Sequence, residues 1–471
     1  NHHGALPSPR FQHASVEANN KLIIVGGSQG TEIFNDLHIF EPISFKWTKY
    51  VEHHDSELKD GGRARHTITY MKDKNALFLF GGINITGIAS NSIYTLHLDD
   101  DLKKGNKRIS ANNHQKKQKT YNTFKWHEIK VGIGQEIPTS RFAHCSVSLC
   151  NKVFIFGGER KNKKLSNTLF RFDPNDSDQH LKYSGSWSRS LQNQSAKAMA
   201  PPPGKDYRML AIPPTHENAG THYMIVLGTN LNFIYIIPIE RSTGQPISWD
   251  TLGAIGQIPG AMSSSTGQSL TPVRRQYAAS VINSIHKKKI HNTTEIIIFG
   301  GIVHNPKSSL TDEIHSLSLN FIDGHAKWKE LPQRGKSIPS ARIGHSFTFM
   351  KYKSLHTGLI NKQMFMFGGT DSQAFRQDFF ILDLATPISK TNVNMHVGKV
   401  HKYEHSPHLD DICAPRGATI TRIWNTKTVM KIKKKNKEKD EENEKEQPIR
   451  TVETSQFIVI GGSRSGTRNE M

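Results

Sequence analysis

A basic side chain returns at one place in a short motif, Pro-x-x-Arg-x-x-His, spaced along the whole chain. Clear copies run from Pro7 to His13, Pro138 to His144 and Pro339 to His345, with Arg10, Arg141 and Arg342 at the basic position. Variants place Arg63, Arg275 and Arg416 there, and one copy has Lys205 in place of Arg and Arg208 in place of His. Guanidinium groups held one per repeat could form a ring of paired donors, the chemistry that suits carboxylate or phosphate oxygens. A ring used only for binding could lose Arg141 and Arg342 without lowering thermal stability. The competing role for each arginine is to pin the carbonyls of its own loop.

Other candidates are weaker. Arg160, Arg376 and Arg464, with Lys161, Lys163, Lys164 and Arg468, follow short glycine pairs and would make one face basic. His13, His66, His144 and His345 recur with the motif in separate copies, which points to packing. His2 with His3 and His53 with His54 are adjacent pairs, and such pairs give poor ligand geometry without a carboxylate or cysteine to complete a set. No metal and no cofactor are expected. Glycine-rich phosphate loops do not occur, and the sequence is read as offering no catalytic constellation.

The elements that would position these residues are short apolar runs ending in glycines: Leu22 to Gly27, Leu77 to Gly82, Val153 to Gly158, Ile296 to Gly301, Met364 to Gly369 and Phe457 to Gly462. A seventh, damaged copy runs from Met224 to Gly228, with Thr229 in the place of the second glycine. Each run is β-branched and aromatic, apolar on both faces, and so reads as a fully buried strand. A third strand follows, opened by Asn or Asp, as at Asn35-Asp36-Leu37. A tryptophan then starts a fourth at Trp47, Trp126, Trp187, Trp249 and Trp328, with Tyr403 the nearest aromatic in the sixth repeat. Spacings of about 50 residues plus insertions suit a four-stranded propeller blade per repeat.

This ordered set resembles the kelch repeat over nearly the whole chain. The resemblance implies an all-β fold, a seven-bladed kelch-type β-propeller of four-stranded antiparallel blades with the first strand lining the channel. The expected blades are 7–50, 60–130, 138–190, 202–252, 272–331, 339–404 and 413–471, the last incomplete and the ring therefore unclosed. All belong to one domain, 1–471, interrupted by a disordered insert near 425–453. Kelch substrate receptors similar to this chain bind acidic peptide segments through arginines at the motif position. The resemblance thus implies a protein partner with an acidic segment, held by Arg10, Arg63, Arg141, Lys205, Arg275, Arg342 and Arg416 with Arg160, Arg376 and Arg464 beside them.

Composition sets the remaining bounds. With 62 Lys and Arg against 41 Asp and Glu, the formal charge of +21 favours an acidic partner. Aromatic residues are not interleaved with the basic loops as in single-strand nucleic-acid binders, so nucleic acid is not the expected partner, nor is a small molecule. Three cysteines, Cys145, Cys150 and Cys413, make no disulfide framework, which points to a reducing compartment: the cytoplasm, with the nucleus second. The longest apolar run, Phe233 to Ile239, cannot span a bilayer. The first residue is Asn, so the chain is expected to be a piece of a longer protein. The expected function is a non-catalytic protein-interaction module, a scaffold in intracellular signalling similar to fungal kelch regulators. The alternatives are the substrate-recognition propeller of a ubiquitin ligase and a nucleic-acid-binding propeller.

Overall fold

The computed structural model describes residues 3–58, 61–104, 122–132, 135–174, 183–191, 200–212, 221–259, 273–282, 293–305, 307–321, 324–332, 338–353, 358, 360–371, 373–385, 396–403, 419–422 and 457–460. Two compact units divide the chain, Asn1–His405 and Ser406–Met471. The first unit is built almost entirely of antiparallel strands. Blade 1 comprises Ala14–Ala18, Lys21–Val25, Leu37–Glu41 and Lys46–Glu52. Blade 2 comprises Thr67–Met71, Ala76–Phe80, Ile93–His97 and the short His127–Glu128. Blade 3 comprises Cys145–Leu149, Lys152–Phe156, Leu169–Pro174 and Ser184–Ser190.

Blade 4 comprises Arg208–Ile212, Thr221–Leu227, Phe233–Glu240 and Asp250–Gly256. Blade 5 comprises Ala278–Ile282, Thr293–Phe299, Ile314–Asn320 and His325–Glu330. Blade 6 comprises Ser346–Lys353, Ile360–Phe367, Phe379–Ala385 and His396–Tyr403. The first strands lie side by side in blade order, and that of blade 6 lies against that of blade 1. This is a β-propeller.

The glycine-ended runs are apolar at every position because each second strand packs on two neighbours. In blade 1, Ile23 and Val25 enter the joint with blade 2, among Ile68, Leu79 and Trp126. Leu22 and Ile24 enter the joint with blade 6, among Phe365, Phe367 and Phe379. Blade 3 repeats the pattern, Val153 and Ile155 facing blade 2 and Phe154 and Phe156 facing blade 4. Each such side chain contributes roughly 1.5–3 kcal/mol by leaving water. The tryptophans Trp47, Trp126, Trp187, Trp249 and Trp328 are all buried in these joints.

Backbone bonds across the joints complete the ring. The second glycine of a pair donates its N–H to the next blade: Gly27 to the Arg63 carbonyl (2.8 Å), Gly82 to Arg141 (3.0 Å), Gly158 to Gly204 (2.8 Å), Gly301 to Arg342 (2.9 Å) and Gly369 to Arg10 (2.9 Å). Thr229 stands where blade 4 lacks that glycine, and there the direction reverses, the Arg274 N–H donating to the Thr229 carbonyl at 2.9 Å. The last of these contacts joins blade 6 to blade 1, supported by Gln12 N–H to the Gly344 carbonyl (2.9 Å) and by Phe11 beside Phe375.

Six blades therefore close the ring of the first unit, where the repeat count suggested seven and an open edge. Among the described residues the seventh copy, Phe457–Ile460, pairs with Thr419–Arg422, antiparallel, in the second unit. The insert near 425–453 lies outside the described residues. Closure needs no seventh copy because Leu22, Ile24, Phe40 and Trp47 find their cover in blade 6. The residues ahead of blade 1 also contribute. His3–Gly4 runs parallel to the outer strand at Lys46 and Trp47, just as Lys130–Val131 leaves blade 2 to flank blade 3.

The close approach at the glycine pair is testable at Gly158, where φ is +92° and a Cβ would sit 2.8 Å from His144 Cβ and 2.9 Å from the Phe142 carbonyl oxygen. Gly158→Ala should lower the free energy of unfolding by roughly 2–4 kcal/mol. Gly30→Ala, at φ +60° with open space around it, should cost about 1 kcal/mol. Urea titration of the two variants checks the contrast.

Candidate partner-binding face

The first and third strands of a blade run one way and the second and fourth the other. The motif loops entering each first strand and the loops after each glycine pair therefore share one face. On that face the chain turns sharply two residues after the motif arginine. Gln12 (φ 56°), Arg65 (55°), Ala143 (53°), Asp206 (63°), Gln276 (54°) and Gly344 (65°) all adopt the left-handed conformation. Four of the links between them are direct backbone bonds: Asp206 N–H to Ala143 (2.9 Å), Ala143 to Arg65 (3.0 Å), Arg65 to Gln12 (3.0 Å) and Gln12 to Gly344 (2.9 Å). These residues form a collar around the ring axis.

The collar also sets the register of the imperfect copies. In blade 4, Asp206 occupies the left-handed position, so Gly204 stands for the motif arginine and Tyr207 for the histidine. The alignment of Lys205 with Arg and Arg208 with His is one residue late. In blade 5, Gln276 occupies that position, so the motif arginine is Arg274 and not Arg275.

The motif arginines point inward. Arg10, Arg141, Arg274 and Arg342 are at most 1% exposed and Arg63 is 3% exposed. Each guanidinium donates to the carbonyl of the first glycine in its own blade: Arg10 to Gly26 (2.9 Å), Arg63 to Gly81 (3.0 Å), Arg141 to Gly157 (2.9 Å), Arg274 to Gly300 (2.7 Å) and Arg342 to Gly368 (2.9 Å). Arg10 and Arg342 also make two-point pairs with Asp36 (2.6 and 3.1 Å) and Asp378 (2.5 and 2.9 Å), the residues that open the third strands. Arg10 lies over the Phe34 ring, Arg141 over Phe170 and Arg342 over Phe380.

Burial alone would raise the Asp36 carboxyl. Hydrogen bonds from His38 and Arg10, with the Arg10 charge, hold it well below the usual carboxylate range. Blade 3 has no carboxylate at the equivalent place, and burial lowers the Arg141 guanidinium to about 10.

The expected ring of partner-facing guanidinium groups is thus an internal set of brackets at Arg10, Arg63, Arg141 and Arg342, and every guanidinium nitrogen of Arg10, Arg141 and Arg342 is already engaged. Lys205 lies nearer the surface, pairing with Glu159 at 2.6 Å. Arg376 is tied to Asp371, and Arg160 reaches Ser166 Oγ at 3.3 Å. The backbone of Arg275 belongs to Val273–Arg275. Arg416, Arg464 and Arg468 lie outside the described residues. Repeated co-occurrence of a motif arginine with an acid opening the third strand, at Asp36, Glu313 and Asp378, was the available signal of pairing.

The motif histidines fill the joints. His66, His144 and His345 are buried and His13 partly buried against the glycine pairs, His144 edge-on to Phe80 and His345 edge-on to Phe299. Burial first, then the Arg10 charge, pushes His13 down to about 3, and His66 falls to about 3 for the same reasons with Arg63. The Cys145 thiol is pushed up to about 12 by burial, so it is no nucleophile at neutral pH. Among the described residues one group has ligand-like spacing, His53, His54 and Asp55, on an exposed turn. The next residue in sequence supplies the carboxylate that the bare histidine pair lacked.

What the face presents outward lies over blades 2 and 3. Ile85 (70% exposed), Ile88 (56%), Ile137 (41%) and Leu165 (42%) sit on three touching loops. The Arg141 N–H donates to the Ser90 carbonyl at 3.1 Å, and Arg141–Phe142 pairs with Glu159–Arg160. Asn84 Oδ1 accepts from the Thr86 and Ile88 amides, which fixes the first loop. The Arg160 amide bonds to the Lys164 carbonyl (3.0 Å), holding Lys161, Lys163 and Lys164 exposed at a tight tip.

Comparison with known proteins agrees with this geometry. The Kelch motif profile matches residues 9–52. Relatives include the Rho GTPase-activating protein gacHH of Dictyostelium discoideum, 31% identical over 166 residues, which is 34% of this chain and 9% of that protein. Kelch repeat-containing protein 2 of Saccharomyces cerevisiae is 27% identical over 176 residues, 36% of this chain and 17% of that protein. Kelch domain-containing protein 3 of Bos taurus is 25% identical over 175 residues, 35% of this chain and 39% of that protein. The matched stretch is thus well under half the length of each of these relatives. The solved structure of YjhT aligns with a TM-score of 0.46 at 12% identity, covering 85% of this chain and 99% of that one. The fold is an all-β propeller of the kelch type. Residues 9–52 carry a Kelch motif, and the chain is similar to kelch-repeat proteins.

Two measurements check the internal roles. Asp378→Ala leaves the Arg342 guanidinium buried without its carboxylate and should cost about 3 kcal/mol or more. Lys205→Ala, which breaks a pair nearer the surface, should cost less than about 1 kcal/mol. Both are read from urea midpoints. The second test is pH. Unfolded imidazoles titrate near about 6.5, while His13 and His66 stay neutral in the fold down to about 3. Between those values the unfolded chain binds more protons. Stability should therefore be full above about pH 6.5 and fall steadily as the pH drops toward 3, the fall beginning well above the range in which carboxylates protonate.

Proposed function

We propose that this propeller is a non-catalytic protein-recognition module of an intracellular protein, and that it grips an acidic, partly apolar segment across blades 2 and 3. The observation that carries this reading is the exposed set Ile85, Ile88, Ile137 and Leu165 beside the lysine tip 161–164, all on loops fixed by backbone bonds. Aliphatic groups exposed together, flanked by cations, suit a peptide with apolar anchors and carboxylates. The exposed groups are aliphatic where a nucleic-acid platform would need stacking rings. Pre-fixed loops reduce the ordering cost of binding.

The relatives support a place within a larger signalling assembly. The matched region occupies a small share of proteins named for a Rho GTPase-activating function, a serine/threonine kinase and tip elongation. In this reading the basic charge of the face gives speed and selectivity of encounter, and the four aliphatic residues give affinity.

A peptide library rich in Asp, Glu and aliphatic residues, selected on the wild-type chain and measured by fluorescence polarisation, tests the proposal. Lys161→Glu combined with Lys163→Glu and Lys164→Glu, or Ile88→Asp, should weaken the selected peptides about tenfold or more with the melting temperature unchanged. Wild-type affinity in both variants would remove the proposal.

A further inference from the structure

The ring axis holds a second site, independent of the loops over blades 2 and 3. Where the left-handed collar converges there is a recess of about 110 Å³, lined by residues from all six blades. The backbone N–H groups of Gln12, Arg65, Ala143 and Asp206 are consumed by the collar itself, so side chains supply the recess with its chemistry. Those are the guanidinium groups of Arg65 and Arg208 and the carboxamides of Gln12 and Gln276. Among the described residues no carboxylate lines it, and that of Asp206 accepts through Oδ2 from Gln276 Nε2 at 3.5 Å.

Both arginines differ from the motif set. Arg208 opens the first strand of blade 4, where the other blades carry Ala14, Thr67, Cys145, Ala278 and Ser346. It donates to the Tyr207 carbonyl at 3.2 Å and lies near the Tyr277 ring. Arg65 lies over the Phe142 ring. Neither makes an ion pair among the described residues. Two positive charges thus share one small concave space on an already basic chain, where low-dielectric walls concentrate their field. His13 and His345 also line the recess, and both nitrogens of each ring are buried without a hydrogen-bond partner.

We propose that the mouth of the channel binds one free tetrahedral oxyanion of the phosphate or sulfate class. Donors approach from blade 1 (Gln12), blade 2 (Arg65) and blade 4 (Arg208), with the Gln276 carboxamide of blade 5, which also donates to Asp206, beside them. An ion with oxygens in several directions meets that arrangement better than a planar carboxylate, whose two oxygens face one way. The volume suits a single such ion. Bound there, the ion would tie together blades that are not neighbours in the ring and neutralise the Arg65 and Arg208 charges.

The test uses the whole chain and inorganic phosphate, with sodium chloride added to hold ionic strength constant. Phosphate should raise the melting temperature along a saturable curve, and calorimetry should give one site. Arg208→Gln should weaken binding about tenfold. Arg65→Gln, whose side chain leaves a loop, should do the same and carries the test if the first variant fails to fold by near-ultraviolet circular dichroism. The site does not exist if chloride matches phosphate, if no saturation is seen, or if both variants bind as the wild type does. A crystal grown in phosphate with only water in the recess would also overturn it.

Discussion

One backbone oxygen in each repeat sets the rest of the structure. Where the second strand leaves the sheet, the carbonyl of the first glycine is turned into the joint between blades, away from water and from any ladder partner. An acceptor buried there without a donor costs about 1–3 kcal/mol, and the chain meets that need with a guanidinium reaching from the entry to the first strand. The arginine is then a charge inside the protein, which is why it recurs with Asp36 in blade 1, with Asp378 in blade 6 and with Glu313 and His315 around Arg274.

Blade 4 shows that the need is for a donor rather than for an arginine. Gly204 has no side chain to offer, so the Gly228 carbonyl is served from the next blade by the Tyr277 hydroxyl at 2.7 Å. Tyr277 takes the place of a histidine that could not have reached that far. The missing arginine, the missing second glycine and the tyrosine of blade 5 thus meet at one joint, while Tyr207 packs beside Phe156 in the joint with blade 3.

Much of this was legible in the chain and some was not. The apolar runs gave the strands, because a strand packed on both faces cannot hide its composition. The repeat order gave the kelch resemblance. Blade number was not legible: Phe457–Ile460 has the same composition as the other second strands, and composition does not say which sheet it joins. The motif picked out Arg10, Arg63, Arg141 and Arg342 but not that they turn inward, since a side chain that meets a ligand and one that meets a carbonyl look alike in sequence. The register in blades 4 and 5 failed by one residue because the fixed point is a backbone angle, shared by Gln12, Asp206 and Gln276, to which no single residue type corresponds. The exposed aliphatic groups on loops were missed altogether, for isolated Ile85 or Leu165 carries no pattern.

The joint between the last and first blades has a further consequence during synthesis. Leu22, Ile24, Phe40 and Trp47 leave the ribosome early, yet the residues that cover them, Met350 to Ile381, are more than three hundred positions away. At ordinary rates of translation, roughly 5–20 residues per second, that greasy flank of the nascent chain waits tens of seconds for its cover. Until that cover arrives, this flank has to stay clear of other apolar surfaces for the ring to close.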